Sequence, residues 1–130
     1  MRRALFLALS LAGCPGPVPP QLSAIEDRIF APNCTFSSCH STIAAAAHLS
    51  LAQGQSFANL VNQPCDSDAG TQDGYLRVVP GDLEHSFLIL KLRDPLDPRY
   101  GDRMPQHQAP LDGSDVGAIE EWIRRGAQND

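Results

Sequence analysis

Aromatic side chains are scarce in this chain: one tryptophan, two tyrosines and five phenylalanines are all that it can offer to a core. No apolar run reaches the roughly 20 residues that a membrane-spanning helix needs, which excludes a spanning segment. Basic residues are outnumbered, ten Lys and Arg against fifteen Asp and Glu, and they form no stripe. That argues against nucleic acid as a partner, because no surface is offered to a phosphate backbone. No Ser-His-Asp arrangement, paired-carboxylate site or Gly-rich phosphate loop stands out. Pro and Gly together number 21, so the helices must be short and the connections long.

The beginning of the chain carries a targeting pattern. Met1-Arg2-Arg3 is a positive start, residues 4–12 are uncharged and mostly apolar, and Leu11-Ala12-Gly13-Cys14 places small residues directly before a cysteine. A run this short is a signal core. Its ending closely resembles the lipobox of bacterial lipoproteins, which implies lipidation of Cys14, attachment to a bacterial membrane through that lipid, and a domain in the periplasm or at the cell surface. Residues 1–13 are then a lipoprotein signal peptide, and residues 14–20 a Pro-rich tether. Loss of Arg2 and Arg3 leaves eight basic against fifteen acidic residues, a formal charge of −7. Residues 21–130 are of the size for one domain with a modest core.

Within that domain, Leu22, Ile25, Ile29 and Phe30 recur at helical spacing, with Ser23 as N-cap and Pro32 as terminator. The alanine-rich stretch 41–51 has good helix propensity. Residues 55–62 offer a further short helical face, and 63–74 read as a loop. Tyr75-Leu-Arg-Val-Val79 is β-prone but too short to found a sheet alone. Asp82 is placed to cap a strongly apolar helix running to Leu92. Residues 94–110 are irregular and rich in proline. Ser114 is placed to cap a final helix with Val116, Ile119, Trp122 and Ile123 on one face. The expected class is all-α, with four to five short helices and long loops.

Chemistry concentrates in Cys34-Thr-Phe-Ser-Ser-Cys39-His40. Thiols and imidazole are reactive groups and good metal ligands. The pair Cys39-His40 has the order used in c-type haem attachment, in which the cysteine anchors the macrocycle and the histidine binds iron. The usual Cys-x-x-Cys-His is missing: Phe36 stands where the first cysteine belongs. Downstream, Met104 in Arg103-Met104-Pro105 is the one methionine left after the leader is removed, and a thioether is a soft ligand suited to ferrous iron.

The order of these pieces resembles the small monohaem cytochrome c domains of secreted bacterial lipoproteins. The residues that carry the resemblance are Ile29-Phe30, Cys39-His40, Val79-Pro80-Gly81-Asp82, Arg103-Met104-Pro105 and the stretch from Ile119 through Trp122-Ile123 to Gly126-Ala127. It spans about residues 22–127. It implies a small cytochrome c-like bundle around a haem c, with first and last helices packed together. It also implies His40 and Met104 as iron ligands, Cys39 as thioether anchor, periplasmic redox proteins as partners, and electron transfer in place of catalysis, because a six-coordinate iron has no open position.

The thiols leave two arrangements open. Cys34 and Cys39 can be paired anchors across a widened spacer, which leaves Cys65 single. Alternatively Cys39 is the sole anchor and Cys34 forms a disulfide with Cys65, closing a loop of about 30 residues that contributes on the order of 3 kcal/mol. The second is preferred on the cysteine count, since Cys14 is assigned to lipid and an odd thiol in an oxidising compartment is awkward. Two haem-free alternatives use the same residues: a structural zinc held by Cys34, Cys39, His40 and Cys65, and a disulfide-stapled lipoprotein that serves as a binding or scaffold domain. Among the remaining histidines, His107 is a substitute ligand behind Met104, and His48 and His85 read as surface residues. Arg99, Tyr100 and Arg103 flank the methionine and are candidates for contact with haem carboxylates.

Overall fold

Leu22, Ile25, Ile29 and Phe30 form the buried stripe of the first helix in the computed structural model, which describes residues 16–130. The expected signal peptide and the lipidated Cys14 lie outside the described residues. Helix α1 covers 22–33 in three parts: α-helical Leu22–Ile25, a wider π-helical Glu26–Phe30 and α-helical Ala31–Asn33. Pro32 does not end it. Proline has no N–H for the carbonyl four residues back and crowds it, and the widened turn is how a helix absorbs such an interruption. The amide of Ala31 accordingly reaches the carbonyl of Glu26, five residues back. Asn33 and Thr35 side chains donate to the carbonyls of Ile29 and Ala31 at 2.8 and 3.0 Å and close the helix end.

Ser23 is not the cap of α1; Gln21 holds that position without a side-chain bond. The free amides are met instead by Asp130, whose side chain accepts from Leu22 N–H at 2.9 Å and whose backbone oxygen accepts from Ser23 N–H at 2.8 Å. A residue more than 100 positions away thus does the work of a local cap. Residues 16–20, expected as a tether, lie against this helix: Val18 packs on the core, and Arg28 donates to the carbonyls of Gly16 and Pro17.

The alanine-rich stretch departs most from expectation. In place of a helix there are turns and a single 3-10 turn, Ala46–His48, with Ala45, Ala47 and His48 at φ of 38°, 55° and 52°. Left-handed backbone costs an L-residue about 1–2 kcal/mol, so tertiary bonds must hold it in place. Helix α2, Ser56–Leu60, follows as expected. Its start is fixed by the buried Glu26 carboxylate, which accepts from Gly54 N–H at 2.9 Å, from Ser56 N–H at 3.3 Å and from the Ser56 hydroxyl.

The expected loop 63–74 contains a helix, α3, Asp68–Gln72. Ser67 caps it by accepting from Gly70 N–H at 3.2 Å. The extended run 75–79 makes only isolated bridges, to Val61, Pro64, Asp82 and Ser86. Asp82 does not begin the next helix. It closes a turn, accepting from the amides of Glu84 and His85 at 2.9 and 3.1 Å, and helix α4 starts later, at Phe87–Leu92. The first amides of α4 donate to carbonyls of the extended run, Phe87 to Leu76 at 2.8 Å and Leu88 to Arg77 at 3.0 Å. Donors left over at a helix start are satisfied in this way by a neighbouring segment.

The final helix, α5, is Gly113–Arg124, capped by Asp112 and not by Ser114: Asp112 accepts from both the amide and the hydroxyl of Ser114 at 2.8 Å. Ala118, Ile119, Trp122 and Ile123 are buried and pack with the stripe of α1 in one core cluster that also takes in Leu60, Val78 and Ile89. Trp122 is 1 % exposed and its indole N–H donates to Gln128 O at 2.8 Å, so both its apolar and its polar parts are satisfied. The regular elements among the described residues are helices, with isolated bridges and no continuous strand, and no helix among them is long and apolar enough to cross a membrane.

Candidate functional site

Between these short helices lies a mainly apolar cleft of about 160 Å³. Phe30 of α1, Leu60 of α2, Leu88 and Leu92 of α4 and Ile119 of α5 supply its apolar walls. His40 and Met104 line the same cleft, and they also line a smaller pocket beside it. The two residues are 64 positions apart in the chain.

His40 is half-buried, and its Nδ1 lies 3.1 Å from Ala46 O and 3.2 Å from Leu49 O. Both neighbours are acceptors, so Nδ1 carries the proton and Nε2 keeps a free lone pair. Metal-binding histidines are oriented in the same way, by a backbone carbonyl on the other nitrogen. Burial pulls the imidazole pKa below its ordinary value of 6.5, and the carbonyl bonds only partly oppose this. Neutral imidazole is the ligating form. The strained alanine loop has its physical account here: its carbonyls face His40 on one side and, at Ala47 and His48, the Arg77 guanidinium at 2.8 and 3.3 Å on the other.

Met104 sits in a loop held from two directions. Its amide donates to Lys91 O of α4 at 2.8 Å. Arg103 donates to the carbonyls of Met104, Pro105 and Gln108 at 3.3, 3.4 and 2.8 Å and lies 3.8 Å from Asp94. The irregular segment therefore delivers one thioether to the cleft wall on a fixed backbone.

The cysteines divide. Cys34 lines the cleft and the smaller pocket, and Cys39 lines the smaller pocket with it. Cys65 is buried on the cleft wall in a separate cluster with Phe87 and Tyr100, its Sγ 3.5 Å from Tyr75 O. All three are free thiols in this structure. Burial, with Cys39 as a smaller cause, pushes the Cys34 thiol up to about 12. Among the described residues no three His, Cys, Asp or Glu side chains gather as a metal site.

The other polar candidates are reassigned. Arg99 bonds Asp73 at 2.5 Å and stacks over the Tyr100 ring at 4.5 Å, and Tyr100 OH also donates to Asp73 at 2.5 Å. Arg103 is spent on its own loop. His107 is exposed and lines neither pocket. His48 is exposed as expected, and His85 pairs with Asp82 on the surface at 2.7 Å. Two cations that sequence reasoning missed, Arg77 and Lys91, line the cleft. The available signal was their position, in a β-prone run and within an otherwise apolar helix.

No protein-family model, curated protein or solved structure matches the chain.

Proposed function

We propose that this chain is a lipid-anchored, c-type cytochrome domain that carries single electrons, with His40 and Met104 as axial ligands to one haem iron. The observation that carries this reading is that both side chains line one apolar cleft despite their separation in sequence. The donor set fits: an imidazole whose Nδ1 is already bonded, a thioether on a braced loop, and thiols at Cys39 and Cys34 beside them. A bound haem supplies a one-electron iron couple, and thioether ligation raises its potential. With haem bound, His40 and Met104 would hold its iron and leave no position open to a substrate. The apolar walls exclude water, and Cys39 with Cys34 provides the covalent anchors. Lipid at Cys14 holds the domain at the membrane, where it exchanges electrons with periplasmic redox proteins.

The test is expression of the full-length chain in a bacterial host competent for haem attachment. The expected product is red, retains haem through denaturation and gains the mass of one haem, with the modified peptides containing Cys39 and Cys34. A colourless protein with unmodified cysteines overturns the reading.

A further inference from the structure

Two half-buried cations stand on the wall of a mainly apolar cleft that also carries His40, Asp66 and Ser67, and neither has a carboxylate of this chain at ion-pair distance among the described residues. The Arg77 guanidinium is fixed by the carbonyls of Ala47, His48 and Asn59, the last at 2.9 Å. Lys91 Nζ donates to Tyr100 O at 3.0 Å and lies 5.9 Å from the centre of the Phe87 ring. Partly desolvated charges are expensive unless paired. Carbonyl bonds orient these two without neutralising them. The acidic influences on them are Asp66, an exposed residue at the rim of the same cleft, on Arg77 and the exposed Asp102 on Lys91, neither close enough to form an ion pair. The arginine and the lysine both keep donors unused, since a guanidinium has five N–H groups and an ammonium three.

We infer that Arg77 and Lys91 recognise carboxylates carried by the ligand of this cleft, so that it selects an apolar molecule bearing acid groups on its edge. This rests on the haem reading above and deepens it: haem is an apolar macrocycle with two carboxylates. The assignment moves acid recognition away from Arg99 and Arg103, which are committed to Asp73 and to loop carbonyls. It also couples two parts of the site, because the backbone carbonyl of Lys91 holds the amide of Met104. The residue that meets the acid edge is the one that braces the axial-ligand loop.

The experiment uses the full-length chain made in a host without haem-attachment machinery, titrated with haemin and with haemin dimethyl ester, in which both carboxylates are neutral. The wild-type chain should prefer the diacid by at least about tenfold, the range of a charge-assisted hydrogen bond. Lys91→Gln and Arg77→Gln should each shrink that preference, and Arg77→Lys should restore part of it. Because Arg77 also supports the alanine loop, Lys91→Gln is the decisive variant. The ratio between the two porphyrins separates acid recognition from a general loss of fold, which would weaken both alike. Equal affinity of the wild type for both, or a preference that survives Lys91→Gln and Arg77→Gln, overturns the carboxylate assignment and leaves the haem reading standing. Uptake of neither porphyrin overturns both.

Discussion

His40 Nδ1 lies 3.1 Å from the carbonyl oxygen of Ala46. This bond turns a strained alanine loop into the support of a single imidazole, and it leaves Nε2 as the donor that a metal would meet. The corresponding soft donor lining the same cleft is Met104.

Replacing Met104 tests its proposed role as an iron ligand while leaving His40 in place. In haem-loaded protein, Met104→Ala is expected to lower the reduction potential or to admit exogenous ligands to the iron, because a thioether favours the ferrous state. Redox titration and azide or imidazole binding spectra measure both effects. Unchanged values in both would remove Met104 from the site.

Cys34 should be a slow nucleophile in the haem-free fold. With its pKa at about 12 against an ordinary 9.0, it holds about three orders of magnitude less thiolate at pH 8, and the thiolate is the reactive form. Iodoacetamide labelling followed by peptide mapping should show Cys34 protected in the native chain and reactive after denaturation. The sign for stability follows. The unfolded thiol ionises above pH 9 while the buried one stays protonated, so this group's contribution is fully present below pH 9 and lost as pH rises toward 12.

Glu26 joins α1 to the start of α2. Glu26→Ala leaves the amides of Gly54 and Ser56 and a buried hydroxyl without their acceptor, a loss on the order of 3 kcal/mol. Urea denaturation should show the midpoint falling by that amount of stability. A change within experimental error would mean that water replaces the carboxylate there.

Asp112 accepts from Ser114 at the start of α5, and these bonds hold its pKa below the ordinary 3.8. A depressed carboxylate stabilises the fold above its unfolded value, and that stabilisation is lost as pH falls through the folded one. Asp112→Ala should therefore lower the melting temperature at pH 7, and the gap from wild type should close as pH drops below 3.8. A gap that stays constant across this range would show that the side chain's charge has no part in the cap.

Several features were legible in the sequence because they depend on near neighbours. The apolar spacing of 22–30 and of Val116 to Ile123 marks two amphipathic helices, and both are present. The short face at 55–62 was equally readable. Caps were read less well: Asp112 sits two residues before Ser114, Ser86 begins the helix expected from Asp82, and Asp130 replaces Ser23 at α1. Each choice turns on which acceptor reaches a free amide, and for α1 that acceptor lies at the far end of the chain.

The sequence alone therefore determined which residues have the chemistry for a site, Cys34, Cys39, His40 and Met104, and which two helices have a face to bury. Only the tertiary structure decided that His40 and Met104 line one cleft, that the alanine run forgoes helix to hold His40 and Arg77, and that Lys91 and Arg77, not Arg99 and Arg103, face it. The physical reason is the range of the interactions. Helical periodicity is set within a few residues, whereas Arg99 turns outward because Asp73 waits for it 26 positions away, and a loop adopts left-handed backbone only when distant side chains take up its carbonyls.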